Sequence, residues 1–136
     1  MENSMSPTAI QRISRALMSA LFLVAGIRKL IAWNATAAYF GSFGLPLAEL
    51  AVPLVVLLEI GGAVALIAGW RLRELSIVLA LYSVATALIA HRFWSVEPVQ
   101  FNGQLNNFLK NFAIAGGFVL LWSQNHRQED NRSVAA

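Results

Sequence analysis

The stretch LAELAVPLVVLLEIGGAVALIAGW, Leu47 to Trp70, decides the fold. It is apolar throughout except for Glu49 at its start and Glu59 in its middle. At a rise of about 1.5 Å per residue, such a run crosses a ~30 Å hydrocarbon core as a single helix. It is rich in Ala and Leu, shows no period of two, and is too long for a barrel strand. Glu59 falls near the midplane of this span, where an ionisable group is costly and is expected to be paired.

Three similar blocks surround it: Ile13 to Trp33, Leu75 to Phe93 and Leu105 to Trp122. The composition agrees with four spans. Of the 136 residues 57% are hydrophobic and only 12% are charged, about 78 apolar side chains in all. That is nearly the content of four spans of ~20 residues, and more than a soluble domain of this size could cover. The balance argues against a soluble protein, a disordered chain and a multidomain enzyme. The net charge of +3 forms no basic patch, so nucleic acid is not expected as a partner. The partner expected first is the lipid bilayer.

All four tryptophans, Trp33, Trp70, Trp94 and Trp122, fall at or just past the end of a block, where indole rings favour the membrane interface. Arg12, Arg15, Arg71, Arg73, Arg127 and Arg132 fall on one side of a four-span topology. The two loops on the other side, Asn34 to Pro46 and Ser95 to Gln104, carry no Lys or Arg. The positive-inside rule then places both termini in the cytoplasm. The chain reads as all-α, a polytopic membrane protein with a four-transmembrane-helix bundle over residues 13–122. A short cytoplasmic N-terminus, 1–12, precedes it, and a polar, mobile cytoplasmic tail, 123–136, follows. Arg12, Arg15, the first apolar run and Ala35-Thr36-Ala37 loosely imitate a signal peptide, but Arg28 and Lys29 argue against cleavage there. Pro53 requires either that the second helix starts near it or that the helix kinks there.

The polar residues inside the blocks are the candidate site. Glu59 is expected to pair with Lys29, with Lys110, or with both. Helical spacing puts Phe22, Gly26, Lys29 and Trp33 on one face of the first helix. Glu59, Gly62, Leu66 and Gly69 share a face of the second, with Gly61 beside them. Ala80, Ser83, Ala87 and His91 share one on the third, and Asn107, Lys110, Ala113 and Gly117 one on the fourth. A polar pocket in the outer half of the bundle, built from Lys29, Glu59, His91, Asn107, Lys110 and Asn111, follows from this spacing. Gly26, Gly61, Gly62, Gly116 and Gly117 are expected at helix–helix contacts, where small residues let backbones approach. Whether the charged residues only lock the helices or serve a ligand stays open.

Several chemistries are excluded. Without cysteine there is no disulfide, thiol redox pair or cysteine-ligated cluster. His91 falls near the outer end of the third span and His126 beyond the inner end of the fourth, on opposite sides of the membrane, which disfavours a bis-histidine haem. No carboxylate cluster, H-E-x-x-H or nucleotide-binding glycine motif occurs, so no metal site and no intrinsic cofactor is expected. Any electron transfer would need an external carrier such as a quinone, hydrogen-bonded by Lys29, His91 or Lys110.

Five runs, in order, resemble those of the DoxX family of membrane proteins. They are Phe22-Leu23-Val24-Ala25-Gly26-Ile27-Arg28-Lys29-Leu30, Ala38 to Pro46, Leu58-Glu59-Ile60-Gly61-Gly62, Ala90-His91-Arg92-Phe93-Trp94, and Asn107 to Gly117. The resemblance covers about Arg15 to Trp122. It implies a four-helix protein of the bacterial inner membrane. It also implies an association with oxidoreductase systems, some family members being membrane subunits of thiosulfate:quinone oxidoreductases. The family's polar positions fall on Lys29, Glu59, His91, Lys110 and Asn111. The expected role is a membrane component of a quinone-linked oxidoreductase with a quinone and an oxidoreductase subunit as partners. The alternative is a non-enzymatic scaffold, assembly factor or small-solute carrier. Whether the chain is itself an enzyme is left open.

Overall fold

The computed structural model describes residues 7–134, with side chains from 8 to 127. The outermost parts of the N-terminal segment 1–12 and of the tail 123–136 therefore lie outside the described residues. Every regular element among the described residues is helical: α1 (Pro7–Ile31), α2 (Trp33–Ser42), α3 (Ala48–Ala68), α4 (Leu72–Ala90), a 3-10 turn (Phe93–Ser95) and α5 (Pro98–Val134). Among the described residues, three stretches are long and apolar enough to cross a membrane: Thr8–Ile31, Ala48–Ala68 and Leu72–Ser95. The fourth apolar block lies within α5, where Asn106, Asn107, Lys110 and Asn111 dilute its hydropathy.

The chain divides at Trp70 and Arg71 into two compact units. In the first, α1 and α3 run antiparallel and pack along their length, and α2 lies against α3. The segment expected as a plain loop, Asn34 to Pro46, is largely helix α2. Its Ala-rich sequence favours helix, and Phe40 gives it an anchor. Phe40 packs with Val52 and Val56 of α3, flanked by Trp33, Ala37 and Phe43. Thr36 is buried and bonds the Ala32 carbonyl. Partial burial pushes the Tyr39 phenol above its ordinary pKa, so it stays neutral. Of the two alternatives for Pro53, the helix does not start at it. The helix α3 begins five residues before it, at Ala48, and contains it.

The far end of α3 shows why two residue types occur where they do. Gly69 caps the helix at φ +75°, a conformation open to glycine at no steric cost. A Cβ there would also strike the Arg15 guanidinium of α1. Arg15 thus sits where the helix dipole is negative, a favourable place for a cation.

In the second unit α4 and α5 pack on each other through much of their length. The chain turns from α3 into α4 through Gly69 and Arg71, both at positive φ. The helix α5 continues without a break through the polar residues expected to be a mobile tail, up to Val134. Gln, Glu and Arg in that stretch are good helix formers.

Polarity is inverted relative to a water-soluble fold. Leu17, Ile31, Leu54 and Leu57 are largely exposed, while Ser19, Glu59, Ser76 and Ser83 are buried. Lipid is the solvent that suits such a surface. The buried hydroxyls bond their own helices: Ser19 to the Arg15 carbonyl at 2.6 Å and Ser83 to the Leu79 carbonyl at 2.8 Å. In hydrocarbon this local bond satisfies a donor that water cannot reach.

A buried ion pair between the first and third helices

Glycine places the charge pair. A Cβ on Gly26 would come within 2.6 Å of Ile60 Cγ1 and 3.1 Å of Glu59 Cβ. Only a residue without a side chain lets α1 come so close to α3 at this level. Lys29, one helical turn further along, is thereby brought over Glu59. Its Nζ donates to both carboxylate oxygens, at 2.8 and 2.9 Å. The Glu59 side chain is 5% exposed and that of Lys29 is 26% exposed. The glutamate is thus enclosed, while the ammonium reaches the edge of the helix pair. Of the partners left open for Glu59, Lys29 is the one that forms an ion pair in this unit.

The other candidate residues separate by surroundings. His91 ends α4, and its Nδ1 lies 2.9 Å from Gln104 Oε1 on α5. Sequence reasoning did not single out Gln104; its signal is its place on the same stripe as Phe108, Asn111, Ala115 and Phe118. That stripe, not the expected Asn107–Lys110–Ala113–Gly117 face, is the more buried side of α5. Asn107 and Lys110 are exposed, Asn111 is half-buried, and the Asn111 amide donates to the Asn107 carbonyl at 2.9 Å. Phe118 and Ala115 displace the charged face because apolar volume packs where a lysine would need a counter-charge.

The expected packing glycines also differ among themselves. Gly26 and Gly62 are buried. A Cβ at Gly61 would meet only Leu57, at 3.9 Å, and one at Gly116 would meet nothing within 4 Å. Gly117 is half-buried. Near the start of α5, Phe93, Trp94, Phe101, Phe108 and Phe112 form a chain of ring contacts between 4.8 and 5.9 Å. The edge-on contacts of Phe93 and Trp94 with Phe101 and Phe108 pin the 3-10 turn to α5. Among the described residues no group of three or more His, Asp or Glu comes together as a metal site would require.

The fold and the pair define a class, a multi-pass helical membrane protein held by a buried charge. The chain matches the DoxX family over residues 10–92 and belongs to it. It is 31% identical to inner membrane protein YphA of Escherichia coli strain K12, over 80% of this chain and 78% of that protein. It is 36% identical to inner membrane protein YqjF of the same strain, with the same shares covered. No solved structure matches it. The protein is accordingly a multi-pass protein of the bacterial inner membrane.

Proposed function

We propose that the protein is the membrane component of a quinone-linked oxidoreductase system, and that Lys29 is its quinone-contacting donor. The observation that carries this reading is the asymmetry of the ion pair: an enclosed carboxylate holding an ammonium that is one-quarter exposed. An ammonium has three N–H donors, and Glu59 occupies two of them. The third is free to bond a quinone carbonyl, and Glu59 holds the ammonium at a fixed height for it. Converting a quinone to a quinol takes two electrons and two protons. The electrons would come from a partner oxidoreductase subunit and the two protons from water at the membrane surface.

In this reading α5 crosses the membrane as the fourth span and both termini are cytoplasmic. The support is the arginine asymmetry between the two sets of span ends. The test of function is mass spectrometry of the gently solubilised protein with a quinone titration followed by absorbance. Co-purified isoprenoid quinone, lost in Lys29→Met but retained in Gly116→Ala, is the expected result. Retention of phospholipid alone, with no spectral change on adding quinone, would refute it.

A second reading, a non-enzymatic scaffold, is favoured by the closure of the pair itself. Both carboxylate oxygens are bonded, as in a structural lock. It expects Glu59→Gln to weaken stability or partner pull-down with no change in the redox activity of membranes.

A further inference from the structure

A cleft of about 680 Å³ opens between α2 and the first turn of α3, lined by Trp33, Asn34, Ala37, Leu47, Glu49 and Leu50. It lies between the end of one candidate span, Ile31, and the start of the next, Ala48. That is the depth of the lipid headgroups. Phe40 seats the second half of α2 on Val52 and Val56, and the cleft remains beside the first half.

The charge of the cleft is one-sided. Glu49 is the only charged residue between Lys29 and Glu59. Among the described residues no ion pair involves it. A carboxylate and an Asn side chain thus belong to a cleft walled by an indole ring. This set suits a cation carrying several N–H donors, and a Trp face attracts such a group as well. Beside Glu49, Leu47 just before α3 and Leu50 and Leu54, four residues apart on it, are each at least 60% exposed. They form an apolar track leading from the headgroup level toward the membrane interior, which a small soluble amine would not use.

The geometry points to a binding site for a lipid with an ammonium headgroup, its head at Glu49 and Trp33 and an acyl chain along Leu47, Leu50 and Leu54. This site is separate from the Lys29–Glu59 pair and does not depend on the quinone reading.

The test uses full-length protein stripped of lipid in detergent. It is titrated with phosphatidylethanolamine or phosphatidylglycerol, and bound lipids are counted by native mass spectrometry. The wild type is expected to bind phosphatidylethanolamine about fivefold tighter, the effect of one exposed ion pair. Glu49→Gln should abolish that preference, and Glu97→Gln, the same loss of charge at another exposed glutamate, should leave it intact. Millimolar ethylammonium should not displace the lipid. Equal affinity for the two lipids in the wild type overturns the proposal without recourse to any variant. So does an unchanged preference in Glu49→Gln, or displacement by ethylammonium, which would assign the cleft to soluble amines.

Discussion

Lys29→Met is the most informative change to the bundle. It keeps the length and the apolar stem of the side chain and removes only the ammonium. Glu59, 5% exposed, then loses the two hydrogen bonds that the ammonium gave its carboxylate, 2.8 and 2.9 Å long. Removing one partner of a buried pair costs about 3–5 kcal/mol, because the other charge loses its counter-ion. Lys29 is partly exposed, so the lower end applies, about 3 kcal/mol, or roughly 150-fold in the folding equilibrium. The reciprocal change, Glu59→Gln, should cost less, about 1 kcal/mol. The orphaned ammonium can swing its stem toward headgroups, and glutamine still offers one acceptor. The double variant should be less damaged than the sum of the singles, with a coupling of about 2 kcal/mol. The assay is reversible unfolding in mixed detergent and SDS micelles, followed by circular dichroism, on the wild type and the three variants. A coupling below about 0.5 kcal/mol, or Glu59→Gln proving worse than Lys29→Met, would refute the claim that an enclosed carboxylate depends on this lysine.

Glycine contacts give a matched pair of predictions. Gly26→Ala should lower stability in the same assay by about 1–3 kcal/mol, since its Cβ would fall 2.6 Å from Ile60 Cγ1. Gly116→Ala meets nothing within 4 Å and should be neutral, or stabilising by up to about 1 kcal/mol through helix propensity. Phe40→Ala should cost about 3 kcal/mol and speed proteolysis within α2, because Phe40 is that helix's anchor on Val52 and Val56. Gln104→Leu should remove the His91 partner, cost about 1 kcal/mol, and shift the His91 ring resonances in NMR.

Much of the fold was legible because lipid imposes a simple rule. A helix that satisfies its own backbone and carries enough apolar residues crosses the membrane, and Leu47 to Trp70 states this in composition alone. The stripes on the first three helices were legible for the same reason, as helical spacing fixes which residues share a face. The face of α5 was not. Asn107, Lys110, Ala113 and Gly117 form as regular a stripe as Gln104, Phe108, Asn111, Ala115 and Phe118, and spacing alone cannot say which one is buried. Packing of α4 on α5 chose the stripe with the larger apolar side chains.

Sequence by itself determined that the protein is helical, that it lives in a membrane, and that Glu59 must find a partner there. Burial is costly for any carboxylate, whatever lies around it, so that requirement is local. Tertiary structure alone decided that the partner is Lys29. The choice rests on a distance between two helices far apart in the chain, set by Gly26, whose missing Cβ lets α1 close on Ile60 and bring the ammonium within 2.8 Å. It also decided that the segment after Trp33 folds back as α2, because Phe40 gains a core only once α3 is there to receive it.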